Sequence, residues 1–173
     1  MAEDHRPAYD TKLAALFLAN YREGARAARN LRTSLERTAQ LFPLDGPSLE
    51  GLDVEARERL DAFRVRFADL QDLLSGKIFR SLLMLEEERP VSQLDVLNAM
   101  EKRGIISSFQ EWKRLRNVRN AFMHDYPEHS TERAEALTLA VGGAREMLGV
   151  LDRLGDHAVN HIGIALPDSD QQT

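Results

Sequence analysis

The chain has no cysteine among its 173 residues, which excludes disulfides, thiolate nucleophiles and cysteine zinc sites and suits a reducing compartment. Stability has to come from packing. It also lacks an excess of positive charge: the net charge is −5 and the pI about 5.6, the wrong sign for a protein that coats nucleic acid through a generally basic surface. Any nucleic-acid contact has to be local. No run approaches the roughly 18 apolar residues that a membrane span needs. The opening MAEDHRPAYD carries both charge signs and lacks the apolar stretch and cleavage site of a secretory leader. These absences predict a cytoplasmic protein outside the membrane. There is no P-loop, no glycine-rich dinucleotide fingerprint and no serine nucleophile elbow, and no cofactor is expected.

What is present is helical periodicity. Leu13, Phe17, Tyr21, Gly24, Ala28, Leu31, Leu35 and Thr38 recur at spacings of three and four, which predicts one long helix with a single buried face. Pro43 and the stretch Asp45-Gly46-Pro47 interrupt it and read as a loop. Leu60, Phe63, Phe67, Leu70, Leu74, Ile78, Leu82 and Leu85 predict a second long helix, ending near Glu86-Glu87-Glu88 and Pro90. Ser92 with Asp95 forms an imperfect capping box for a third, with Val91 and Val96 spaced for a hydrophobic staple, and Gly104 stops it.

Ser107 with Gln110, or Ser108 with Glu111, caps a fourth helix. It ends at about His124 to Tyr126, because Pro127 pushes the residue before it away from helical angles. A fifth runs from about Ser130 toward Leu154, and Gly142-Gly143 within it permits close packing or a kink. No segment alternates as a strand does. The expectation is an all-α chain, an up-and-down bundle of about five helices. It should form a single domain over 1–173, with 1–6 and 166–173 flexible.

Chemistry concentrates on the fourth helix. Lys113, Arg114, Arg116 and Arg119 place four cations within seven residues. At about 100° per residue, Phe109, Trp112, Leu115, Val118, Phe122 and Met123 fill about half of its circumference. Arg116 and Arg119 fall inside that apolar arc, where a guanidinium must snorkel, be paired, or line a cleft that admits an anion. Pairing with Asp69 or Asp72 on the second helix is the purely structural explanation. Asn120 and His124, four apart, form a polar stripe beside the arc. On a continuous helix Arg119 and His124 would point roughly 140° apart. Bringing them together requires a broken helix end, a two-fold dimer that pairs the motif helices, or both. Histidine moves protons near neutral pH, arginine binds phosphate bidentately and asparagine holds a hydroxyl or phosphate oxygen. Those are the parts that phosphodiester cleavage needs.

The stretch Arg119-Asn120-Ala121-Phe122-Met123-His124 resembles the signature of HEPN domains, an arginine followed by four to six residues and a histidine, with a polar residue just after the arginine. Its continuation through Asp125 to Tyr126 resembles the longer pattern of HEPN toxins encoded beside minimal nucleotidyltransferases. The specific likeness covers about 60–127, and outside it only the helical pattern agrees. The resemblance implies a HEPN-like bundle and metal-independent cleavage of RNA in a homodimer cleft. His124 would be general acid or base, Arg119 would stabilise the phosphorane, and Asn120 would orient the phosphate or His124. Arg116 and Lys113 would help to bind substrate. It further implies a minimal nucleotidyltransferase antitoxin that attaches AMP to Tyr126.

Two other functions stay open on the sequence. One is a non-catalytic HEPN partner of a nucleotidyltransferase, holding a nucleotide or presenting a substrate; the other is a purely structural helical dimer. Zinc is a weak possibility: His157 and His161 are four apart, but the intervening Ala158-Val159-Asn160 includes no catalytic glutamate.

Overall fold

A computed structural model describes residues 9–124 and 126–167. Residues 1–6 and 168–173, expected to be flexible, and Asp125 of the motif lie outside the described residues. Leu166 and Pro167 lie inside, and Leu166 packs against the core.

The architecture is all-α, with no strand among the described residues. Helix α1 spans Thr11–Thr38, opened by the Asp10 carboxylate, which accepts from the Lys12 and Leu13 amides. Its buried face carries Phe17, Gly24, Ala28 and Leu31, as the spacing predicts. The segment expected to be a loop contains a short helix, α2, over Gly46–Glu50. Asp45 caps it through the Ser48 amide and Pro47 sits in its first turn, a signature that the sequence carries. The hydroxyl of Ser130 donates to Glu50 at 2.6 Å, tying α2 to the start of the last long helix.

Helix α3, Val54–Leu73, runs through a wide π turn at Leu74–Ile78 into α4, Phe79–Leu85. Together they form the expected second long helix, and its eight seam residues from Leu60 to Leu85 are all buried. Helix α5, Gln93–Lys102, begins with the Ser92–Asp95 capping box complete in both directions. The expected staple does not form. Val96 is buried but Val91 is 94% exposed, because the chain reaches Ser92 from outside, after Glu87 in a left-handed conformation (φ 62°) and then Pro90. Gly104, at φ 69°, ends this section, a conformation costly for any residue with a Cβ.

Helix α6, Phe109–Met123, takes Ser108 rather than Ser107 as its cap. Helix α7, Ser130–His157, continues into a second π turn at Ala158–Ile162. Helix α1 packs on α3, α3 on α6, α6 on α7, and α7 back on α1, which encloses one core. Gly143 serves close packing: a Cβ there would stand 2.5 Å from Leu115 of α6. Gly142 faces open space. Phe67, fully buried, meets Phe122 edge-on with ring centroids 5.5 Å apart. That contact anchors the end of α6, and truncation of Phe67 to alanine is expected to cost about 3–5 kcal/mol. Among the described residues no helix is long and apolar enough to cross a membrane.

Candidate functional site

The end of α6 is held before any chemistry is considered. Trp112, Leu115 and Phe122 bury the helix against the core, whereas Met123, assigned by the projection to the apolar arc, is exposed. Arg64 of α3 donates to the Phe122 carbonyl at 2.7 Å, satisfying a backbone acceptor that the helix leaves open and placing a cation at the negative end of its dipole.

The helix then stops at Met123. His124 takes φ −127° and ψ −42°, outside the helical basin, although its amide still donates to the Asn120 carbonyl at 2.9 Å. The break resolves the geometrical conflict within one chain. Arg119 Nη1 comes within 3.3 Å of His124 Nε2 and within 3.3 Å of Asn120 Oδ1. A guanidinium nitrogen only donates, so a hydrogen bond at this contact runs from Arg119 to Nε2 of His124. The contact places a group able to take a proton beside a fixed cation.

Arg119 has a third partner. Its Nη2 donates to Asp72 Oδ2 at 2.5 Å, which chooses between the two carboxylates that the sequence left open. Asp72 also raises the pKa of Asp69, although the larger cause there is burial. The pairing leaves Arg119 incomplete, because its buried Nε has no partner among the described residues. Its side chain remains 21% exposed and that of Asp72 50% exposed, so an incoming anion can reach the pair.

Asp72, Arg119 and Asn120 line a cleft of about 360 Å³ whose other walls include Arg116 and Trp112. Arg116 is exposed and makes no ion pair among the described residues. Lys113, one turn earlier, is exposed and outside the lining of the cleft. Arg114 pairs with Glu111.

Tyr126 occupies a separate aromatic and cationic setting that the sequence did not signal. The Arg64 guanidinium lies 3.6 Å from its ring centroid and that of Arg133 5.2 Å, with Phe122 at its edge, centroids 6.1 Å apart. Burial pushes the phenol above its ordinary pKa, outweighing the two arginines, which pull it down. The hydroxyl stays protonated at neutral pH and makes none of the described hydrogen bonds.

His157 and His161 stack within one helical stretch, and His157 ties its end to Glu86 of another element. The rings stack with centroids 4.5 Å apart, and His157 Nε2 lies 2.6 Å from Glu86, which also accepts from Arg103. Comparison of the chain with protein-family models, with curated proteins and with solved structures finds no match.

Proposed function

We propose that this chain is a HEPN-type, metal-independent endoribonuclease, a toxin that works as a homodimer and is neutralised by a minimal nucleotidyltransferase. The observation that supports it best is the approach of Arg119 to His124 at 3.3 Å beside Asn120, where Arg119 and Asn120, but not His124, also line a cleft with Arg116. In the reaction, His124 Nε2 takes the proton of a ribose 2′-hydroxyl. The oxygen attacks the adjacent phosphorus, and the 5′-oxygen leaves with a proton drawn from water, giving a 2′,3′-cyclic phosphate and a 5′-hydroxyl. Arg119 meets the charge that grows on the phosphorane oxygens, where a fixed cation is most effective. Asn120 holds the guanidinium and is placed to meet a phosphate oxygen. The phosphate has to exchange with Asp72 or share Arg119 with it.

The control device rests on Tyr126. An adenylyl group on its hydroxyl would add about one negative charge and three-dimensional bulk close to the end of α6, with Arg64 and Arg133 near enough to hold the new phosphate. The phenol is protonated at neutral pH, so the transferase has to supply the base.

One observation favours a second reading. The Arg119–Asp72 pair balances the charge of the guanidinium without substrate, as it would in a non-catalytic partner that holds a nucleotide or presents a substrate. Expression separates the two. The toxin arrests growth, His124→Ala relieves the arrest, and co-expression with the nucleotidyltransferase adds one AMP increment to the intact mass that Tyr126→Phe abolishes. A parent chain that neither arrests growth nor cuts RNA when purified would leave the binding reading in place.

A further inference from the structure

Helix α1 carries a second concentration of positive charge, away from the motif. Between residues 22 and 37 it holds Arg22, Arg26, Arg29, Arg32 and Arg37 against Glu23 and Glu36, a surplus of three positive charges in a chain whose net charge is −5. All five arginines are exposed, and none enters an ion pair among the described residues. Glu23 is spent on Lys77 at 2.9 Å. The first four arginines follow one another at spacings of four, three and three, so each faces a like charge on the adjacent turn, an arrangement that destabilises a helix. A ligand with repeated negative charge relieves that repulsion.

A groove runs along each side of this ridge. The one between α1 and α7 is lined by Arg22, Arg29 and Arg32, with Asp152 as its one carboxylate. The one between α1 and α3 is balanced, Arg26, Arg66 and Lys77 standing against Glu23, Asp69 and Asp72. Asp72 also lines the Arg119 cleft, so the balanced groove joins the ridge to the cleft. Helices α1 and α6 both pack on α3, and at the usual packing distances their axes lie within about 20 Å of each other. A strand of several nucleotides covers that span and a single nucleotide does not. The arginines rise by about 4.5–6 Å from one to the next along the helix axis, an even repeat of the kind a phosphate backbone offers, and arginine forks meet phosphate oxygens in pairs. Between Phe17 and Asp53 no large apolar side chain is exposed, so the ridge lacks what a helix needs to sink into a lipid headgroup layer.

We propose that the arginine ridge of α1 is an RNA-docking surface, which holds the phosphate backbone of the strand outside the Arg119 cleft and does not read its bases. It gives an acidic chain the local attraction for RNA that its net charge denies it. Each phosphate that meets an arginine releases counterions, so this part of the affinity falls as salt rises. The inference rests on the ribonuclease reading for the identity of its polyanion, but it is testable by binding alone.

The purified full chain is titrated into a labelled, mixed-sequence 2′-O-methyl RNA, which has no free 2′-hydroxyl and stays intact, and anisotropy is read over a range of salt. The parent is expected to bind, more weakly as salt rises. Arg22→Gln/Arg26→Gln/Arg29→Gln should lower the affinity at low salt by about tenfold to a hundredfold and flatten the log–log salt slope by about 2. Thermal stability should not fall, because glutamine suits a helix and like charges have been removed. Lysine at the same three sites should keep the slope. Arg57→Gln/Arg89→Gln/Lys102→Gln removes the same charge at exposed positions that line neither groove, and should change affinity by less than about threefold. RNA affinity that ignores the ridge would overturn the proposal, whether the glutamine variant then loses phosphatidylserine vesicles or the nucleotidyltransferase instead. So would an equal loss in the control, a lysine variant as weak as the glutamine one, or a parent that binds no RNA. A chain that binds RNA through the ridge but cuts none would sink the ribonuclease reading and leave this surface standing.

Discussion

Two arginines, Arg103 and Arg119, each tie a helix to an acidic residue of another element, yet they build different things. Arg103 is 14% exposed and every guanidinium nitrogen is used: Nε on Glu86, Nη2 on Glu88 and Nη1 on the Ala99 carbonyl. Burial opposes its charge, but the hydrogen bonds and charges of Glu88 and Glu86 outweigh it and hold its pKa above the ordinary value. The other oxygen of Glu86 holds His157. Nothing is left over, and the cluster staples the α4–α5 turn to the end of α7. Among the described residues Arg119 meets one carboxylate, leaves Nε without a partner and lies against the His124 imidazole. Beside it stands Arg116, exposed and without an ion pair among the described residues. A closed set of partners leaves no room for a ligand, whereas an open one can admit an anion.

Substitution breaks the comparison most sharply at His124 and Arg119. Either change to alanine is expected to slow RNA cleavage by about a hundredfold to ten-thousandfold, measured in single turnover, with thermal stability changed by less than about 1 kcal/mol. Arg103→Ala should do the reverse: cleavage per folded molecule unchanged, stability lower by about 1–3 kcal/mol in urea denaturation.

A smaller effect sharpens the role of Asp72. Because its side chain is half-exposed, Asp72→Asn is expected to change stability by less than about 1 kcal/mol. Removal of its charge should tighten the binding of a non-cleavable 2′-deoxy oligonucleotide a few-fold at low salt. The smallest effect concerns the half-buried phenol. Tyr126 has a folded pKa raised above its ordinary 10.0, so its contribution to stability is complete below pH 10 and is lost as the pH rises through the folded value. Tyr126→Phe should flatten the fall in stability on the alkaline side and change nothing at pH 7.

The long helices and their buried faces were legible because their apolar residues recur with helical spacing. The stop at His124 was legible too, since Tyr126-Pro127 forbids continuation. The π turn was missed, although the seam hinted at it. Leu70, Leu74, Ile78 and Leu82 advance by four three times, a drift of about 120° on a regular α-helix, and the wide turn absorbs that drift. Leu154, Ala158 and Ile162 repeat the hint at the second π turn. Which carboxylate meets Arg119 was not legible, because Asp69 and Asp72 are one turn apart on the same helix and only the packing of α6 on α3 decides. Arg64 was missed for a related reason: its partners, Phe122 and Tyr126, lie about sixty residues away.

The central claim is that Arg119 and His124 form one reacting centre that needs a ribose 2′-hydroxyl. The direct measurement uses a DNA oligonucleotide containing a single uridine ribonucleotide, incubated with the purified chain in EDTA, with the product ends identified by mass. The account predicts one cut, 3′ of the ribonucleotide, leaving a 2′,3′-cyclic phosphate and a 5′-hydroxyl, and no cut in the all-deoxy strand or with His124→Ala. Cleavage of the all-deoxy strand, or products ending in a 3′-hydroxyl and a 5′-phosphate, would contradict it.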